Sequence, residues 1–205
     1  SLENILAVDV DYPRPHKNLQ IPAEMLRYAI TLFRQKLEYA VQLEYEISGS
    51  NALYFDTTRA DDGETLEEDG YGLTGHLVIF TNMLKNLSVF DQKAAREEVT
   101  RWSGLEDPLF TRLRIWASGC KELTTPEEAG RIILSLDNET FWTSKQERDL
   151  LFSMRDRWSE MPQKIIIKIE KRLCKGDILW AGQLENSKEL IAHHRLNRIC
   201  WLSAQ

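Results

Sequence analysis

"SMRDRWSEMP", residues 153–162, is the stretch on which the fold turns. It ends an apolar-periodic run with Arg157-Trp158-Ser159 and then Pro162, which is punctuation expected where a helix stops, because proline lacks the N–H to continue one. The same kind of ending recurs at Arg101-Trp102-Ser103, at Arg114-Ile115-Trp116-Ala117-Ser118 and at Arg198-Ile199-Cys200-Trp201-Leu202-Ser203. Trp116 and Trp158 are 42 positions apart, and Trp158 and Trp201 are 43. Each interval holds one more helix opened by proline, Pro126 to Leu136 and Pro162 to Cys174. A period of about 40 to 47 residues with two helices per unit is the signature of HEAT-like or armadillo-like stacking. The expected fold is therefore all-α, either an irregular helical repeat of HEAT-like antiparallel helix pairs or a multi-helix bundle.

The tryptophans have a physical role in such a stack. An isolated helix pair cannot bury both faces, and one Trp brings roughly 150–250 Å² of contact area to a neighbouring unit. An arginine one turn away can lie over the indole and still reach solvent. Trp102, Trp116, Trp158 and Trp201 are thus expected as structural seam residues, with Trp158→Ala costing about 3–5 kcal/mol, the range for emptying a core aromatic. Binding of a nucleotide or glycan by the Arg-Trp pairs would require convergence on one pocket, whereas a repeat sets them in a row.

Helix signals cover most of the rest. Pro22 opens a pattern with Leu26, Ile30, Phe33, Leu37 and Ala40 at spacings of three and four, ending at Ser48-Gly49, so a helix of about seven turns is expected over 22–48. Leu73 to Leu87 and Asp91 to Ser103 read as the next two, the second capped by Asp91 and closed by Gly104. Asp107 and Pro108, then Thr125 and Pro126 with Glu127 and Glu128, start two more. Ser144-x-x-Glu147 has the form of a capping box. "KIIIKI" is the one stretch that could be a strand, and Pro162 before it with Glu170, Leu173 and Gly176 after it favour helix. The chain is expected to divide into an N-terminal helical part, 1–104, and a repeat part, 105–205, of one continuous module.

Composition excludes several classes. Hydrophobic residues at 42% and charged residues at 28% are those of an ordinary globular protein, and no apolar run is long enough to span a bilayer. The chain begins with Ser1 and lacks the basic start and apolar core of a signal peptide, which points to a piece of a longer protein. Cys120, Cys174 and Cys200 are odd in number and far apart, which argues against a disulfide framework and for a reducing, cytoplasmic setting. The net charge of −6 is matched by Asp56 to Gly70 alone, with seven acids and one base. This self-repelling acidic segment, 56–71, is expected to be a disordered loop. Calcium binding there would require ligands where Thr58 and Ala60 stand, so the EF-hand frame fails.

Other motifs are incomplete. Gly70, Gly72 and Gly75 match G-x-G-x-x-G, but they follow an acidic coil and not a strand. Glu189 and His193 form one carboxylate–histidine pair beside His194, without a second pair for a di-metal site. Cys174 and Cys200 have no C-x-x-C partners and are expected as buried thiols. No catalytic, cofactor-binding or metal residue is assigned, and no cofactor is expected.

"DPLFTRLRIWASG", "ETFWTSKQERDLLFSMRDRW", "IEKRLCKG" and "HRLNRICWLSAQ" together resemble a long helical region of large bacterial proteins that carry a sirtuin-like, NAD-hydrolysing domain and are associated with defence against phage. The likeness covers about residues 105–205 and rests on aromatic and arginine spacing. It implies a scaffold or sensor segment whose enzyme lies elsewhere in the parent chain, with no NAD site carried by these residues. The expected partner is protein, either another domain of the parent or a foreign trigger. The alternative is nucleic-acid contact through the basic faces "FTRLR", "KIEKR" and "HHRLNR", against which a pI near 5.4 stands.

Overall fold

The structure, a computed structural model, describes residues 21–49, 55–59, 64, 73–175 and 187–204. Among these the fold is all-α, as expected, with no strand. Contacts divide the chain into two compact units, 1–110 and 111–205. The sequence punctuation placed its division earlier, at Gly104 and Leu105.

The first unit contains α1 (Ala23–Ser48), α2 (Thr74–Phe90) and α3 (Gln92–Arg101), the last followed by a 3₁₀ turn at Trp102–Gly104. Helix α1 buries Leu26, Ile30, Leu37, Ala40 and Val41 along one face. It stops where Gly49 takes φ 67° and donates its N–H to the Tyr45 carbonyl at 3.0 Å, a left-handed conformation that glycine adopts without a Cβ clash. Asp91 joins α2 to α3 by accepting the Ala94 N–H at 2.9 Å. Phe80 is fully buried, with the Phe33 ring at 5.4 Å and the Trp102 ring at 5.8 Å. Arg34 Nε lies 2.7 Å from Glu98 Oε1, and that same oxygen accepts the Trp102 indole N–H at 3.1 Å. The acidic segment is packed at its start: the Asp56 N–H donates to Thr74 Oγ1 at 2.9 Å and Thr58 is buried. Residues 56–59 carry no helix or strand, and a hydrogen bond, from the Asp56 N–H, ties them to the start of α2. Residues 60–63 and 65–71 lie outside the described residues.

The second unit begins within α4 (Pro108–Ser118) and continues through α5 (Pro126–Ser135), α6 (Asn138–Trp142), α7 (Ser144–Arg157) with a 3₁₀ turn at Trp158–Glu160, α8 (Gln163–Lys175) and α9 (Ser187–Ser203). Thr125 and Glu128 form a reciprocal capping box, at 3.3 and 2.7 Å. "KIIIKI" is helical. Short α6 was not anticipated; Asp137 caps it by accepting from the Thr140 N–H at 2.7 Å and the Thr140 hydroxyl at 2.8 Å. Its presence moves the next cap. Thr143 both closes α6, donating its N–H to Glu139, and caps α7, so Ser144 is the first helical residue and not the capping residue expected.

The register of contacts sets the topology of this unit. Arg112 meets Lys145 and Asp149 while Ile115 meets Ser153, so α4 and α7 run in the same direction. Gly130 meets Ile165 and the 136–138 turn meets Arg172, so α5 and α8 do likewise. Glu147 meets Arg198 and Phe152 meets Trp201, which adds α9 parallel to α7. Parallel neighbours in each layer require a return helix between them, which is the connectivity of stacked helix pairs. Contacting positions are 33 to 38 residues apart between α4 and α7 and between α5 and α8, and 49 to 51 apart between α7 and α9. The tryptophan spacings of 42 and 43 fall between these values, so they are more regular than the packing.

Between the layers lies a core of Ile115, Ala129, Ile133, Phe141, Trp142, Leu150, Met154, Ile165, Ile169 and Leu173. The layers approach closely at Gly130, where an added Cβ would overlap Ile165 Cγ2.

Candidate functional site

Four arginines of the second unit are turned inward, and main-chain carbonyls hold them there. Arg112 donates to Asp149 Oδ2 at 2.7 Å and to the Lys145 carbonyl, with 2% and 0% of the two side chains exposed. Arg157, on α7, donates to the Thr124 carbonyl at 3.1 Å, and its Nε is 3.2 Å from Glu160. Arg172, on α8, donates to the carbonyls of Leu136 at 2.6 Å and Asp137 at 2.9 Å and to Asn138 Oδ1 at 3.1 Å. Arg198, on α9, donates to the Phe141 carbonyl, with its Nε 3.4 Å from Glu147.

The carbonyls of Leu136 and Phe141, at the ends of α5 and α6, have no intrahelical partner, whereas Thr124 lies in the turn before α5 and Lys145 in the first turn of α7. Arg172 reaches several acceptors at once. The rings follow: Arg172 lies 4.1 Å from the Phe141 centroid, and Arg198 lies 4.8 Å from Trp142. Burial lowers the pKa of Arg172, countered in part by Asp137, and that of Arg198, countered by Glu147. In the first unit burial also works to lower Arg34, but the hydrogen bond to Glu38 and the charges of Glu98 and Glu38 outweigh it. Arginine remains charged throughout.

The four tryptophans named from the sequence are not equivalent. Trp102 and Trp116 are fully buried. Trp158 is half-buried and covers one side of the core, and Trp201 is half-buried with its ring 5.2 Å from Phe152. Neither Trp158 nor Trp201 has a guanidinium over its ring among the described residues. The fully buried tryptophan that sequence reasoning passed over is Trp142. Its signal was Asp137-x-x-Thr140, a cap-compatible pair directly before Phe141-Trp142.

The remaining candidates disperse. Cys120 is buried, but Cys174 and Cys200 are exposed free thiols, against expectation; the inward faces of α8 and α9 are taken by Ile169, Leu173 and Arg198. His193 Nε2 is 2.9 Å from Asn197. No group of three metal-ligating side chains occurs among the described residues. Gly70 and Gly72 lie outside them, while Gly75 is buried in α2. No described helix is long and apolar enough to cross a membrane.

Of the three basic faces, "FTRLR" is interior: Phe110, Thr111, Arg112 and Leu113 are all buried. In "HHRLNR" Arg198 is buried, and in "KIEKR" Arg172 is engaged with carbonyls. What reaches solvent is a lysine row on α8, Lys164, Lys168, Lys171 and Lys175, beside exposed Ile167. Elsewhere α1 exposes Met25, Tyr28, Leu32 and Tyr39, and α2 ends on exposed Val89 and Phe90.

Comparison with known proteins finds no matching family model, no matching curated protein and no matching solved structure.

Proposed function

We propose that the chain is a non-catalytic α-helical module that binds protein, as a scaffold or sensor. The observation that carries this is the commitment of the interior polar groups of the second unit. Arg112, Arg157, Arg172 and Arg198 each donate to at least one carbonyl or carboxylate of another helix or turn, which is the chemistry of holding a stack together. Stacked pairs present extended outer surfaces of the kind used for protein recognition. The exposed apolar side chains of α1 and the mixed face of α8 are surfaces of that kind. Following the resemblance to the sirtuin-like defence proteins, the module serves in a larger bacterial, cytoplasmic protein whose enzyme is a separate domain.

A photo-reactive amino acid placed at Tyr28 on α1, and separately at Ile167 on α8, tests this in the cell that makes the protein. Adducts with defined polypeptides are expected. Adducts with nucleic acid alone, or salt-sensitive retention of the chain on duplex DNA without polypeptide adducts, would overturn it in favour of nucleic-acid contact.

A further inference from the structure

We propose that the outward face of α8 is a docking surface for an acidic peptide segment of a partner protein, one carrying an apolar residue among its carboxylates. This rests on the protein-binding role above and names the partner chemistry for one face.

Lys164, Lys168, Lys171 and Lys175 fall within an arc of about 60° at 100° per residue and extend about 16 Å along the helix. They stand opposite Ile165, Ile169 and Leu173, which face the core. Lys164 is 3.9 Å from Glu127. Lys168, Lys171 and Lys175 have no ion-pair partner among the described residues. Like charges three and four positions apart on a helix repel. The helix dipole disfavours Lys164 in the first turn, where Glu127 offsets it, and favours Lys175 in the last. The repulsion within the row contributes nothing to packing the stack, and a line of carboxylates opposite it relieves that cost.

Ile167 supplies the apolar half of the surface. It is 54% exposed and flanks the row between Lys164 and Lys171. A leucine or similar side chain set among acids would cover it and so gain area that ion pairing alone does not give. A phosphate backbone offers Ile167 no such partner. The wider field is weak: residues 111–205, which include α8, carry 16 bases and 13 acids, and residues 1–110 carry 10 bases and 19 acids. Glu170 also points outward from α8. The positive potential is local to one row, suiting a short acidic peptide more than a long polyanion.

Fluorescence anisotropy of the full chain with a fluorescein-labelled peptide, leucine flanked on each side by paired glutamates, tests the idea. Binding should weaken as salt rises from about 0.05 to 0.3 M. The double variant Lys168→Glu/Lys171→Glu should lose more than about tenfold in affinity, because attraction becomes repulsion at two positions. Lys168→Arg/Lys171→Arg should stay within about threefold, and Ile167→Ser should lose about threefold. All three substitutions are on the surface and should leave the helical circular dichroism unchanged.

Equal binding by the charge-reversed variant would overturn the proposal. So would tighter binding of duplex DNA or phosphatidylserine vesicles that ignores Ile167→Ser. The Tyr28 photo-adducts separate the two levels: polypeptide adducts that persist while the peptide fails at α8 overturn the α8 surface alone, and an absence of polypeptide adducts at both positions overturns the protein-binding role itself.

Discussion

The two units bury charge in different ways. In the first, Arg34 on α1 meets Glu98 on α3, and Glu98 accepts the Trp102 indole N–H, so side chain answers side chain. In the second, arginines of α7, α8 and α9 answer main-chain carbonyls in the turn before α5 and around α6. Helix length accounts for the carbonyls at α5 and α6. A helix of 26 residues such as α1 has few unpaired carbonyls relative to its buried face, whereas α5 and α6 have one such end for every ten and five residues. Short stacked helices need donors at their junctions, and the guanidinium supplies several from one side chain.

This contrast can be broken at graded positions. Asp149→Ala should have the largest effect, about 3–5 kcal/mol in denaturant unfolding, because it leaves the buried Arg112 charge uncompensated. Arg112→Met with Asp149→Leu should restore most of that loss, since well-packed apolar pairs replace buried ion pairs at little cost. Trp142→Ala should cost about 3–5 kcal/mol. Trp158→Ala should cost about 1–2 kcal/mol, less than the sequence suggested, because only part of its area leaves water; equal losses at the two positions would show that exposure does not rank the seam. Gly130→Ala should destabilise by about 1–2 kcal/mol through the Ile165 clash despite alanine's better helix propensity. Ile165→Ala should relieve that clash, making the double variant cheaper than the sum of the singles.

The smallest effect is at α6. Burial works to raise the Asp137 pKa, but the Thr140 amide and hydroxyl prevail and hold it below the usual carboxylate range. A depressed carboxylate stabilises the fold above its unfolded pKa of about 3.9 and loses that contribution as pH falls through the lower folded value. Asp137→Ala should cost about 1 kcal/mol near neutral pH. The gap between variant and parent should close below about pH 4, as followed by melting temperature.

The all-α class and most caps were legible because each carries a local signal. Pro108, Thr125 with Pro126, Asp91 and Gly49 act through their own backbone and need no tertiary context. The spatial period was less legible. The tryptophans recur at 42 and 43 positions, whereas contacts run from 33–38 residues between α4 and α7 to 49–51 between α7 and α9. Helix α6 fell below the length at which periodicity can be read. The fate of Arg112 and Arg198 was hidden for another reason: in sequence they look like surface charge, and their burial is made favourable by carbonyls and carboxylates 33 to 57 positions away. Cys174 and Cys200 were misplaced because residue type was weighed without the helix face on which they fall.

That arginines hold the stack at its helix ends is tested most directly by Arg172→Lys, which keeps the charge and removes the fork whose Nη1 faces the Ile133 and Leu134 carbonyls and whose Nη2 faces Leu136, Asp137 and Asn138. Denaturant unfolding should show a loss of about 2 kcal/mol, the order for hydrogen bonds to a charged group, with amide exchange accelerated where α5 meets α6. A change below about 0.5 kcal/mol, the size of an ordinary surface substitution, with exchange at that junction unaltered, would contradict it.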